Sequence, residues 1–107
     1  MRDEVFILAE LFKALGDPTR LKLIKMLASG MTKDIRVVDI AEKLGISQPA
    51  VSQHLKILKS IGILIAQREG YRVHYHIDTE VFKKHKHLID SMFEMAFNKC
   101  GYDCVSK

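Results

Sequence analysis

Residues Asp39 to Lys59 read DIAEKLGISQPAVSQHLKILK, and the order of apolar, turn and capping residues within them decides the fold. Val37, Ile40, Ala41 and Leu44 recur at helical spacing, which predicts a short helix from Val37 to Leu44. Gly45 follows, the residue type that most readily closes a helix in the left-handed conformation. Ser47 is placed to cap a second helix, Gln48 to Ser60, with Pro49 in a first turn where no intrahelical amide bond is lost. Two helices joined by so tight a turn predict a helix-turn-helix. Ile40, Ala41, Leu44, Ile46, Val51, Leu55 and Leu58 fit its shared core, the small Ala41 letting the helices cross closely.

What remains outside on the second helix is Gln48, Ala50, Ser52, Gln53, Lys56 and Lys59. Gln donates and accepts at base edges, Ser does either, Lys reaches phosphate, and no acid repels the backbone. A polar helix face is also what solvation alone produces, so its neighbours must decide. Beyond Gly62 the pattern turns extended: Ile63, Leu64 and Ile65, a Glu69-Gly70 turn, then Val73, Tyr75 and Ile77 alternating with Arg72, His74 and His76. Arg68 and Arg72 flank a Glu69-Gly70-Tyr71 tip, the form of a wing lying along a groove of duplex DNA. The candidate DNA contacts are therefore Ser47, Gln48, Ser52, Gln53, Lys56 and Lys59 on the helix with Arg68, Tyr71 and Arg72 on the hairpin.

On the N-terminal side, Asp3 to Leu15 carries Phe6, Leu8, Ala9, Leu11, Phe12 and Leu15, more apolar surface than one solvated helix needs. Gly16-Asp17-Pro18 stops that helix and starts another, Pro18 to Ala28. Its Leu21, Leu23, Ile24 and Leu27 are expected inside, and Arg20, Lys22 and Lys25 towards solvent or phosphate. Ser29 to Asp34 reads as a loop leading into a short extended piece at Ile35 and Arg36. On the C-terminal side Asp78 and Thr79 cap a helix from about Glu80 to Asn98, with Phe82, Leu88, Ile89, Met92, Phe93 and Ala96 on one face, and Lys99 to Lys107 are expected to fray.

The 107 residues, 48% apolar and 28% charged, suit one domain over residues 1–107, mainly α with a small β-hairpin. The net charge is +4, and between Lys43 and Ile77 five Lys and Arg residues face a single acid, Glu69, so the basic region is central. No apolar run approaches the roughly 20 residues a membrane helix needs, and no leader opens the chain, so a cytoplasmic protein with no membrane partner is expected. Nothing supports an enzyme: there is no glycine-rich phosphate loop, nucleophile elbow or paired carboxylate motif. A winged-helix module kept for protein contact stands as the alternative, as does a DNA-binding regulator with no effector, and the polar helix face with its two wing arginines argues against the first.

FKALGDPTRLKLIKML, from Phe12 to Leu27, followed by DIAEKLGISQPAVSQHLKILKSIGILIAQREGYRVHYHI, from Asp39 to Ile77, resembles the ArsR/SmtB family of repressors. The resemblance implies a winged helix-turn-helix, a homodimer through the first and last helices, and an operator inverted repeat facing both recognition helices. It also implies Gln48, Ser52 and Gln53 as contacts of the recognition helix. His54, by its neighbours, sits near the core boundary and reads as a packed side chain.

Many members of that family sense metals, and this chain departs from the common ligand patterns. The family's thiolate motif, Cys-Val-Cys-Asp, would fall on Arg36, Val37, Val38 and Asp39, without either cysteine, and its zinc or cobalt ligands on Thr79, Val81, Met92 and Met95, none of them a good zinc ligand. A different donor set remains: His85, His87, Cys100 and Cys104. Cys100 and Cys104 share a helix face if the helix reaches them, and suit a thiophilic metal or metalloid ion or a thiol redox switch. His85 and His87 are nearly opposite on a helix and would serve one ion only across a dimer. Alternatively the cysteines are a tail without effector role, and His85 and His87 lie with Lys83, Lys84 and Lys86 on a solvated face.

Overall fold

Four side chains fix where helices begin. Asp3 Oδ1 accepts from the Phe6 amide at 2.9 Å, Asp17 from the Thr19 and Arg20 amides at 2.8 and 3.2 Å, Ser47 Oγ from the Ala50 amide at 3.2 Å, and Asp78 from the Glu80 and Val81 amides at 3.2 and 3.3 Å. Each satisfies amide groups that a helix N-terminus leaves without intrahelical partners. In the computed structural model, which describes residues 3–29 and 36–100, the helices so started are α1 (Glu4–Leu15), α2 (Pro18–Ala28), α4 (Gln48–Ser60) and α5 (Thr79–Met95). Helix α3 (Val37–Leu44) starts differently, its Arg36 amide donating to Asp39 Oδ2 at 3.1 Å. The loop expected at Ser29 to Asp34 and the extended Ile35 lie, but for Ser29, outside the described residues; Arg36 itself is extended, at φ −91° and ψ 164°.

Gly45 closes α3 at φ +67°, and only two residues separate it from Gln48, so α4 must cross α3 at once. After α4, β1 (Leu64–Glu69) and β2 (Arg72–Ile77) pair antiparallel from Leu64 opposite Ile77 to Glu69 opposite Arg72. The loop is therefore Gly70-Tyr71, one residue beyond the expected turn, with Gly70 at φ +63°. A two-residue hairpin loop requires that positive φ to match the strand twist.

Leu8, Leu11, Leu23, Ile40, Ala41, Val51, Leu55, Leu58, Ile63 and Leu64 form one buried cluster drawn from α1, α2, α3, α4 and the start of the hairpin. Val51, Leu55 and Leu58 are at most 1% exposed, so one side of α4 is wholly withdrawn from water. Among the described residues no helix is long and apolar enough to cross a membrane.

Several details depart from the sequence reading. Leu21, expected inside, is 47% exposed, while Arg20, expected outside, is half-buried. Ala50, expected outside on α4, is half-buried. Gly16 ends α1 at φ −80°, outside the left-handed region; its value is space, since an added Cβ would lie 3.0 Å from the Phe12 carbonyl oxygen. Helix α5 passes at Ala96 into a π-helical turn, Ala96–Cys100, where a continuous α-helix to Asn98 was expected.

Leu55→Ala removes buried methyl groups from the centre of the shared core and should cost about 2–5 kcal/mol. Urea unfolding should show a lower midpoint with an unchanged slope; an unchanged midpoint would contradict this account of the core.

Candidate nucleic-acid interface

Flanking the buried side of α4 stand Gln48, Ser52, Lys56 and Lys59, at spacings of four, four and three residues that stack them on one face, with Gln53 further round on the side away from the core. All five are exposed, as is Ser47 at the helix start. Ser47 Oγ accepts in the cap, and its hydroxyl can still donate to a further acceptor. The N-terminus of α4 thus presents Ser47, Gln48 and the positive end of the helix dipole together, with no acidic residue in the first turn.

At the hairpin tip Arg68, Tyr71 and Arg72 are exposed, Tyr71 fully so. Glu69, the acid between the two arginines, lies 3.4 Å from His74 Nε2, and His76 Nε2 lies 2.9 Å from Gln67 Oε1. Both contacts run diagonally across the strands and hold the hairpin's polar face from within. Every residue expected to touch DNA is therefore at the surface, six on α4 and its cap and three on the wing.

Arg20 holds the recognition helix from behind. Its Nη1 lies 3.1 Å from His54 Nδ1, its Nε donates to the Ala14 carbonyl, its Nη2 reaches the Lys13 carbonyl at 3.5 Å, and Asp17 Oδ2 is 3.9 Å away. Arg can only donate, so His54 accepts at Nδ1 and carries its proton on Nε2. One guanidinium thereby joins the end of α1, the start of α2 and the middle of α4. His54 is half-buried and packed, as its neighbours indicated, whereas Arg20 was missed. The signal was present: Arg20 precedes Ile24 and Leu27 by four and seven residues, the stripe of the buried face. At Asp17 burial opposes ionisation, but the amides of Arg20 and Thr19 and the positive charge of Arg20 outweigh it and hold the carboxyl below its ordinary range.

The candidate donors on α5 separate. His85 is buried and His87 exposed, so the structure does not bring them together, and the alternative placing both on a solvated face fails for His85. His85 follows Phe82 by three residues and precedes Ile89 by four, which puts it on the stripe facing the core. Among the described residues no three His, Cys, Asp or Glu side chains gather as a metal site. Cys104 and the side chain of Cys100 lie outside the described residues.

These features define a winged helix-turn-helix with an uncommitted polar recognition face. A family model described as "Bacterial regulatory protein, arsR family" matches residues 17–66. The chain is 42% identical over 84 residues to the HTH-type transcriptional regulator MJ1325 of Methanocaldococcus jannaschii, spanning 78% of this chain and 92% of that protein. It is 40% identical over 72 residues to the transcriptional repressor SdpR of Bacillus subtilis, spanning 67% and 77%. The homodimeric winged helix-turn-helix DNA-binding domain of Mb0332 from Mycobacterium bovis superposes with a TM-score of 0.64 at 31% identity, over 85% of this chain and 82% of that one. The chain belongs to the arsR family of bacterial regulatory proteins. It is a winged-helix DNA-binding transcriptional regulator and not an enzyme.

Both ring nitrogens of His85 lack a hydrogen-bond partner among the described residues, and burial pushes its pKa below the ordinary 6.5. Glu10 of α1 lines the same hollow of about 370 Å³ but lies 3.7 Å from Lys13 in an ion pair. Because the folded state resists protonating His85, the stability it contributes is present above pH 6.5 and falls as the pH drops below it. Urea midpoints at pH 7.5 and 5.5 should therefore differ less in His85→Gln than in the unsubstituted protein. Equal differences would show that His85 titrates alike in both states.

Proposed function

We propose that this protein is a homodimeric repressor, one winged-helix domain per chain, working in the cytoplasm, whose two α4 helices enter successive major grooves of an operator inverted repeat. The observation that carries this reading is the division of α4 into a buried side, Val51, Leu55 and Leu58, and an exposed side without acids. Gln48, Ser52 and Gln53 read base edges, Ser47 and the helix N-terminus take a phosphate, and Lys56, Lys59, Arg68 and Arg72 supply affinity independent of sequence, with Tyr71 packing beside the backbone.

Dimerisation is supported by what α1 and α5 leave in water. Val5, Phe6 and Phe12 on α1 and Met92, Phe93 and Met95 on α5 are exposed, although the two helices pack together. Apolar side chains so grouped are the mark of an interface, and a two-fold dimer matches a two-fold operator. Likeness to a repressor of Bacillus subtilis favours repression, which for so small a protein needs only occupancy of the promoter.

Release is assigned to the donors that suit a thiophilic metal or metalloid ion or an oxidant: Cys100 and Cys104, with His85 and His87 joining only from opposite sides of α5. A ligand acts there by favouring a dimer in which the recognition helices are spaced wrongly for DNA.

Three measurements test this reading. Gln53→Ala should cost roughly 1–3 kcal/mol on operator DNA and almost nothing on random duplex, as read by fluorescence anisotropy, whereas equal loss on both would remove Gln53 from base recognition. Arg72→Ala should weaken both duplexes alike and reduce the salt slope of log K by about 1. For the effector, Cys100→Ser with Cys104→Ser should leave ion-free affinity unchanged and abolish the response to a panel of thiophilic ions and to peroxide; a response that survives would place the effector elsewhere.

A further inference from the structure

A hollow of about 850 Å³ opens between α2, β2 and the first turns of α5, on elements other than the recognition helix. Its floor is apolar: Ile24 and Leu27 from α2, Ile77 from β2 and Phe82 from α5 pack against the core yet remain only half-buried. Its rim is basic. Lys83 and Lys86, one turn apart on α5, stand at its edge, His74 and His76 of β2 are among the residues that line it, and no Asp or Glu is among the described ones. Volume, an apolar majority and a few polar groups gathered at one edge are the properties of a small-molecule site.

We propose that this hollow binds a small apolar carboxylate, its hydrocarbon against Ile24, Leu27 and Phe82 and its acid group on Lys83 and Lys86. Charge selects the acid. Lys83 lies 3.6 Å from Glu80 and Lys86 2.7 Å from Asp90, and the Asp90 contact raises the Lys86 pKa, so each lysine already has a carboxylate beside it. All four side chains are more than half exposed, and ion pairs of that kind contribute little in water. A ligand carboxylate whose hydrocarbon tail is simultaneously buried exchanges for them at small cost. A neutral molecule gains nothing at that rim, and a base meets two ammonium groups.

Position gives the site a consequence. Its walls are the second strand of the wing and the helix whose exposed face forms the dimer, so a ligand that fits better in one arrangement of β2 against α5 shifts wing and dimer together. This consequence rests on the regulator reading; the binding itself does not.

Isothermal titration of the full chain with decanoate, and with decan-1-ol as the uncharged control, tests the site directly. Decanoate should saturate at one molecule per chain. Lys83→Gln with Lys86→Gln, both exposed and safe for folding, should weaken decanoate roughly tenfold or more and leave decan-1-ol unchanged. Leu27→Trp, filling the floor, should abolish both. Absence of saturable decanoate binding, or binding that neither variant alters, overturns the proposal, the latter by placing the molecule on the open faces of α1 and α5. Anisotropy of the ligand-free protein with operator DNA is read separately, so a failure of the regulator reading appears there and leaves the titration to judge the site.

Discussion

The polar face of α4 depends on the exclusion of water from the helix's other side. Val51, Leu55 and Leu58 are withdrawn almost completely against α1, α2, α3 and the start of β1, and the period of the helix then dictates which side chains are left outside. Rotating α4 by a single residue would place Ser52 or Lys56 in the core, at the cost of burying polar groups without partners. The core thus sets which face of α4 is left for a partner.

Three further constraints refine that placement. Gly45, at φ +67°, fixes the angle at which α4 leaves α3. Ser47 fixes the residue at which α4 begins, and so the height at which Gln48 stands. Arg20 then ties His54, in the middle of α4, to the carbonyls that end α1. A guanidinium with several fixed partners is stiffer than an apolar contact, and it links the recognition helix to α1, which the proposed dimer uses.

The sequence carried most of this architecture because its signals were local. The limits of α2, α3 and α4 follow from caps and a glycine lying within three residues of each helix end, and the hairpin follows from period-two alternation either side of Gly70. The errors arose where the deciding partner is distant. Arg20 was assigned to solvent because its acceptor, His54, lies 34 residues further on. His85 was weighed as a solvated residue because lysines flank it, although the spacing from Phe82 to Ile89 carries it inward. Leu21 was drawn inside with the other apolar positions of α2, but it stays 47% exposed. The π-helical turn at Ala96 has no local signature, and the hollow between α2, β2 and α5 is a product of tertiary packing that no periodicity encodes. The candidate DNA face was legible because exposure on a helix is the complement of burial; the donor set for an effector was not, since ligation depends on where a second chain comes to lie.

Hydroxyl-radical footprinting of the protein on DNA from its own upstream region tests the central claim most directly. A homodimer reading an inverted repeat with two α4 helices should protect two patches related by a two-fold axis, their centres one helical turn apart, roughly 34 Å. A single asymmetric patch, or uniform weak protection that vanishes with modest salt, would contradict it and reduce α4 to a solvated polar face.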